Sequence, residues 1–321
     1  MAKIFVTHKI PAIGIQMLKD KGHNVELREE SKLLPKTELI KILASGNYNG
    51  VLCLLTDRID AEVFVAAPSV KIFANYAVGF DNIDIVEAKK RRVTITNTPG
   101  ASTESVAEHT LALMLALTRR IVEGDNFVRA GKYQSWDPML LWGVDLLGKT
   151  LGILGTGRIG TEVTKKAALG LGMKIIYHDI VRNEKLERET GASFLPLVNE
   201  VLRQADVVSL HVPLLPETRY LINTERLALM KKTAYLINTS RGPIVDEIAL
   251  VNALKGGIIK GAALDVFENE PHLAEGLKDL SNVILTPHIA SATAETRNDM
   301  AKKAATNLIA FFEGQNPPNL V

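Results

Sequence analysis

Residues 150–160 read TLGILGTGRIG, and this stretch decides the fold. The first five residues have the apolar, β-branched character of a buried strand. The glycines at 155, 157 and 160 then form a G-x-G-x-x-G turn, and the spacing predicts a helix over 158–169. Gly155 permits the tight turn, Gly157 lets the backbone approach a pyrophosphate, and Gly160 lets the helix pack close to the strand. Arg158 and Ile159 open that helix, whose N-terminus faces the phosphate charge. The next strand, 174–177, ends at His178 and Asp179, which places a carboxylate 19 residues after Gly160. A carboxylate there accepts hydrogen bonds from the ribose hydroxyls of NAD and repels the extra phosphate of NADP. The bland alternative is a glycine-rich turn beside a solvent-facing aspartate. With strand, helix and acid all in place, dinucleotide binding is the better reading. Arg182 lies close by and leaves NADP open.

Working outward, strand-like runs alternate with helical patterns on both sides. Before the motif they fall at 4–6, 25–27, 51–54, 71–74 and 93–96, with helices over 14–21, 36–44 and 83–90. After the first cofactor strand they fall at 174–177, 207–210, 234–238, 262–264 and 283–285. Strands apolar on both faces that alternate with helices indicate parallel sheets covered by helices. The expected fold is α/β, with two Rossmann-like doubly wound parallel-sheet domains. The turn-rich cluster NTPG at 97–100 marks the boundary. A helix over Thr103–Thr118 follows, apolar almost all round and so expected to be buried on several sides. The last helix, Ala294–Phe312, comes after the second sheet is complete and is expected to cross back. That makes the substrate domain discontinuous and flavodoxin-like, 1–98 with 291–321, and leaves 99–290 as the NAD-binding domain. Two crossings at one level form a hinge with a cleft beside it.

At 321 residues, two domains are the natural expectation. The 38 basic residues nearly balance the 36 acidic ones, so there is no general electrostatic draw toward nucleic acid or an anionic membrane. The single cysteine, Cys53, excludes an intrachain disulfide and a multi-thiolate zinc site, and suits a reduced, cytoplasmic setting. The opening MAKIFVTHKIP has too short an apolar run for a signal peptide, and the ten apolar-rich residues at 109–118 are too few to span a bilayer. No HExxH, HxxxH or CxxC pattern suggests a metal. GVDLLGKT at 143–150 matches the nucleotide-triphosphate P-loop formally, but a strand follows its lysine where a helix should begin, so that reading fails on context.

Ligands of such a sheet collect at the carboxyl ends of its strands. Three of the seven histidines, His178, His211 and His288, stand at such ends, whereas His8, His23, His109 and His272 have no such placement. His178 is adjacent to the ribose acid. His211 touches the pyrophosphate or ribose, or serves structure alone. His288 follows the last strand, where a nicotinamide ring belongs. Arg241 tips the strand 234–238, and Asp265 and the run FENEP at 267–271 follow the strand 262–264. Arginine grips a carboxylate through two parallel hydrogen bonds, and a histidine paired with a carboxylate suits general acid chemistry. Each residue alone reads best as a surface ion pair. Three charged groups at neighbouring strand ends weaken that alternative.

GTGRIG with Asp179, then NTSRGPIVDE (238–247), ALDVFENEP (263–271) and TPHIASAT (286–293), resemble the D-isomer-specific 2-hydroxyacid dehydrogenases in order and spacing over essentially the whole chain. The resemblance implies that Arg241 binds substrate and that His288 is the acid/base, in reach of cofactor and substrate alike. It makes Glu270 the carboxylate partner of that histidine. NYAVGFD at 75–81 resembles the loop whose backbone N–H groups, at Val78 and Gly79, hold the substrate carboxylate. Thr239, Asp265, Val212 and Pro213 match positions that contact the cofactor. YAVGFDNID with SWDP (135–138) and Trp142–Gly143 is most similar to the glyoxylate and hydroxypyruvate reductases. That similarity implies NADH-dependent reduction of a small 2-oxoacid to the D-2-hydroxyacid. Asp179 is a departure, since several reductases of this subgroup carry an NADP-type loop there. The alternatives are phosphoglycerate dehydrogenase, whose longer forms have a C-terminal regulatory domain absent from a chain ending at Val321, another D-2-hydroxyacid dehydrogenase, and an NAD-responsive corepressor. The family also implies a homodimer contact through 119–142, in which Trp136 either reaches the neighbouring subunit's pocket or packs at the base of its own loop.

Overall fold

The computed structural model describes residues 1–30 and 32–321. The chain divides into two compact units, Met1–Ser102 with Ala292–Val321, and Thr103–Ser291.

In the first unit, β1 (Lys3–Val6), β2 (Asn24–Leu27), β3 (Gly50–Cys53), β4 (Ile72–Asn75) and β5 (Thr94–Thr96) form one parallel sheet in the order β2-β1-β3-β4-β5. That is the flavodoxin-like doubly wound order. Side chains alternate between faces along each strand. Phe5, Val51 and Phe73 enter one core with Leu39 and Val63. Ile4, Leu52 and Ile72 enter the other with Leu18, Met300 and Leu308. Covered on both faces, the central strands read as continuous apolar runs. The last helix, Ala294–Phe312, belongs to this unit and packs on the helix Ala12–Asp20. The approach is close enough that a Cβ at Gly14 would lie 2.7 Å from the Ala301 carbonyl oxygen.

In the second unit, β6 (Thr150–Leu154), β7 (Lys174–His178), β8 (Ser193–Phe194), β9 (Val207–Leu210), β10 (Tyr235–Asn238), β11 (Gly261–Leu264) and β12 (Val283–Leu285) form a parallel sheet. The order is β12-β11-β10-β9-β6-β7-β8. The order reverses between β6 and β9, and the glycine motif leaves β6 at that switch point. The P-loop match fails here too, because Thr150 opens β6 and not a helix.

Three local expectations are corrected. The glycine-motif helix runs over Arg158–Lys165 and relaxes into a π-helical turn, Lys166–Gly170, instead of continuing as one α-helix. β8 went unrecognised because two residues carry no periodicity. The helix Thr103–Thr118 is not apolar almost all round: Ser105, Thr110 and Thr118 are buried beside Leu113, Met114 and Leu117, and Glu104, Glu108 and Ala112 form an exposed stripe. It packs on β10 and β11, and the second unit opens at its first residue, Thr103.

Candidate active site

The glycine loop has the shape that the motif implies. Gly155 adopts φ +94°, and a Cβ there would lie 2.7 Å from the His211 carbonyl oxygen. A Cβ at Gly160 would collide with the Gly155 carbonyl oxygen, so the helix can seat itself only without one. Gly157 is different. No atom lies within 4 Å of its Cβ position, and it caps the helix Arg158–Lys165. That open cradle at a helix N-terminus fits a pyrophosphate, with its charge facing the N–H groups.

Asp179 follows β7, and its carboxylate is tied to the loop. Oδ2 accepts hydrogen bonds from the Thr156 N–H (2.6 Å) and hydroxyl (3.0 Å), and Oδ1 accepts one from the Ile180 N–H (2.7 Å). Of its four lone-pair directions, three are used and one remains for a ribose hydroxyl. His178 turns its Nδ1 to the Leu195 carbonyl (3.1 Å) and stacks on Phe194.

His211 underlies the same loop, its Nε2 2.9 Å from the Ser209 hydroxyl. Burial pushes its imidazole down to about 4, so the ring is neutral near pH 7 and supplies shape, not charge, beside the phosphate cradle. The unfolded chain takes up this proton near the ordinary value of 6.5, and the folded chain does not until about pH 4. The folded state therefore loses stability as pH falls through that window, by up to ~3 kcal/mol. Denaturant titrations between pH 7 and 4 should show a shallower acid loss for His211→Gln than for the wild type. Equal slopes would remove His211 as the cause.

Two of the charged residues at the neighbouring strand ends, Glu270 and His288, pair in this unit. Glu270 receives His288, with Nδ1 2.9 Å from Oε2 and 3.2 Å from Oε1, and its Oε1 also accepts the Phe267 N–H at 3.0 Å. His288 has a left-handed backbone, φ +54°, which is unfavourable for a residue with a Cβ. The surroundings impose it. The His288 N–H donates to the carbonyls of Asp265 (2.8 Å) and Thr286 (3.0 Å). The Asp265 carboxylate accepts the Ile289 N–H (2.9 Å), the Ala290 N–H (2.8 Å) and the Thr286 hydroxyl (2.6 Å). Burial opposes ionisation of Asp265, but hydrogen bonds from His109, Thr286, Ile289 and Ala290 outweigh it and hold its carboxyl below the ordinary range.

His109 is the first residue that sequence reasoning missed. Set aside as unplaced, it stands on the helix Thr103–Thr118 with Nε2 3.2 Å from the Thr286 hydroxyl and 3.5 Å from Asp265 Oδ1. Glu247 is the second. It is buried, and it accepts the N–H groups of Glu268 (2.6 Å) and Ala274 (3.3 Å), pinning both ends of the segment that carries Glu270. Burial, reinforced by the charges of Glu268 and Glu270, raises its carboxyl above the usual range. The only sequence signal for either was membership of a charged or helical run.

Arg241 leaves β10 on a braced turn. The Asn238 side-chain amide donates to its carbonyl (2.9 Å), and the Ser240 hydroxyl donates to the Val212 carbonyl (2.5 Å). Gly242 presses against the next segment so closely that a Cβ would collide with the Phe267 carbonyl group. The turns bearing Arg241 and Glu270 are thus locked backbone to backbone. The Thr239 hydroxyl faces inward, 2.9 Å from that of Thr110. Val212 is half-buried, and Pro213 is exposed on the loop after β9.

Val78 and Gly79 belong to the first unit, in the loop after β4. The Ala77 carbonyl accepts the Thr98 N–H (2.9 Å), the Val78 carbonyl accepts the Asn97 amide (2.7 Å), and the Gly79 carbonyl accepts the Asn75 amide (2.9 Å). In a trans peptide the C=O and N–H groups point in opposite directions. With three carbonyls pinned inward, the N–H groups of Val78, Gly79 and Phe80 face away from those donors, a cradle suited to an anion.

A doubly wound sheet with an open phosphate cradle at its switch point, a ribose-side carboxylate and a histidine–carboxylate pair defines a nicotinamide-dinucleotide oxidoreductase. The chain belongs to the D-isomer specific 2-hydroxyacid dehydrogenases, whose NAD binding domain model matches residues 111–290. It is 48% identical over 323 residues to the glyoxylate reductase of Pyrococcus furiosus, covering 99% of this chain and 95% of that protein. The TT0316 protein of Thermus thermophilus is 45% identical with a TM-score of 0.92, covering 99% of both chains. The NADPH-dependent glyoxylate/hydroxypyruvate reductase SmGhrB of Sinorhizobium meliloti is 31% identical with a TM-score of 0.85, covering 100% of this chain and 98% of that one. No helix among the described residues is long and apolar enough to cross a membrane.

Proposed function

We propose that this protein uses NADH to reduce a small 2-oxoacid, glyoxylate first and hydroxypyruvate second, to the corresponding 2-hydroxyacid. The carrying observation is the His288–Glu270 pair, 2.9 Å apart, on the segments after β12 and β11 of the dinucleotide-binding unit. The dihydronicotinamide, when bound, supplies the hydride. The glycine loop would hold its pyrophosphate at Gly157, with Gly155 and Gly160 shaping the turn and seating the helix, and Asp179 would hold its ribose. His288 faces Glu270 through Nδ1, which leaves Nε2 to deliver a proton to the substrate's carbonyl oxygen. Arg241 orients the oxoacid and stabilises charge developing on that oxygen. The substrate choice follows the relatives named glyoxylate reductase and the glyoxylate/hydroxypyruvate reductase of Sinorhizobium meliloti. The choice of NADH follows Asp179, whose negative charge would meet a 2′-phosphate. A single buried cysteine suits a reducing cytoplasm. A panel of 2-oxoacids, each with NADH and NADPH, tests the reading. The highest kcat/KM should come from glyoxylate with NADH. No turnover of any 2-oxoacid would refute the activity, and a preference for NADPH would refute the cofactor assignment.

The same reading extends to a homodimer. Ile121 and Val128, seven residues apart on one face of the helix Ile121–Arg129, are exposed, as are Tyr133, Trp136, Met139 and Trp142 beyond it. Trp136 is 79% exposed, so it does not pack at the base of its own loop. Exposed apolar residues so concentrated mark an interaction surface, and a second copy supplies the cover. Light scattering at micromolar protein should give about twice the 35.1 kDa chain mass. Unchanged KM for every oxoacid in Trp136→Ala would exclude a pocket shared across that interface.

A further inference from the structure

We propose that Glu187 is a determinant of cofactor choice, because it keeps Arg182 from serving a 2′-phosphate. The inference rests on the dinucleotide site described above and adds a second barrier to the one that Asp179 presents.

Arg182 lies three residues beyond Asp179 in the exposed segment between β7 and the helix Glu184–Thr190. An arginine there is the group that would receive a ribose 2′-phosphate. Its fork is already engaged. Nε lies 2.9 Å from Glu187 Oε1 and Nη2 lies 2.8 Å from Oε2, a two-pronged grip on a carboxylate. A guanidinium binds carboxylate and phosphate through the same planar fork, so the two ligands compete for it.

Glu187 does not swing freely. The Tyr177 hydroxyl donates to its Oε1 at 2.8 Å, and Tyr177 is a fully buried residue of β7. That hydroxyl accepts the Asn183 N–H at 2.8 Å, and the Asn183 side chain caps the helix through the Leu186 N–H at 3.1 Å. The Asn183 amide reaches the Thr156 carbonyl at 3.4 Å, and Thr156 in turn donates to Asp179. One continuous network therefore fixes the acid beside the ribose and the acid that holds the arginine. Binding NADPH has to place phosphate near Asp179 and also break the Arg182–Glu187 pair.

The test is the ratio of NADPH to NADH dissociation constants, read by fluorescence titration, in the wild type, Glu187→Gln, and Glu187→Gln with Arg182→Ala. Glutamine keeps an acceptor for the Tyr177 hydroxyl but gives up the charge that holds Arg182. The ratio should fall about 2- to 5-fold in Glu187→Gln, the scale of releasing an exposed ion pair. It should return to the wild-type value when Arg182 is also removed. An unchanged ratio in Glu187→Gln overturns the proposal. A fall that survives Arg182→Ala also overturns it, because loss of a negative charge, not release of the guanidinium, would then be the cause. A wild type that binds NADPH as tightly as NADH refutes the NADH assignment, and the comparison of the two variants still decides the role of Glu187.

Discussion

His288→Ala should lower kcat by ~10²–10⁴, the usual size of a lost general acid. The substitution removes the proposed proton donor while leaving the loop's supports in place. Those supports are backbone and Asp265 hydrogen bonds at 2.8–3.0 Å, none of which uses the imidazole. His288→Asn is the sharper variant, since asparagine tolerates the left-handed backbone at φ +54° and carries no comparable acid. It should be as inactive as the alanine variant and fold at least as well. His288→Gly should go further and relieve strain of order 1–2 kcal/mol, raising the melting temperature of an inactive protein. A stabilised, inactive variant is what a strained catalytic position predicts. Near-normal turnover in either the alanine or the asparagine variant, with the fold intact, would dismiss His288 as the acid.

Much of this arrangement was legible in the sequence because its determinants are local. G-x-G-x-x-G after a strand specifies a turn, with close backbone approaches at Gly155 and Gly160 and open space at Gly157. Strand ends in a doubly wound sheet converge, so Arg241, Glu270 and His288 could be grouped once the strands were placed. The residues that brace them were not legible. His109 lies 177 residues from Thr286 in sequence, and only the packing of the helix Thr103–Thr118 on the sheet brings the two together. Glu247 looked like one more acid in a motif, and its role depends on a loop 21 to 27 residues away turning back over it. The asparagine amides that orient the Val78–Gly79 peptides were equally hidden, since a side chain's reach to a carbonyl has no periodicity. Sequence spacing picks out the candidate residues at the strand ends. Tertiary packing alone shows what holds them there.

Arg241→Lys should raise KM for glyoxylate about 10- to 100-fold and lower kcat much less, because the charge remains and the fork is lost. The scale is that of hydrogen bonds between charged groups, ~1.5–3 kcal/mol, converted at about 1.4 kcal/mol per tenfold. The turn keeps its main supports in the variant. The turn at Arg241 is braced by the Asn238 amide on its carbonyl and by the Ser240 hydroxyl on Val212, and the guanidinium adds one bond of its own, from Nη1 to the Ser240 carbonyl at 2.8 Å, which the variant loses. Gly242 then locks the turn against Phe267, so a lysine at 241 begins from the same backbone position. A change in KM therefore reports on the grip and not on a displaced loop. Should kcat fall as far as kcat/KM while KM holds, Arg241 would be acting on the transition state alone. An unchanged KM and kcat would remove it from the substrate site.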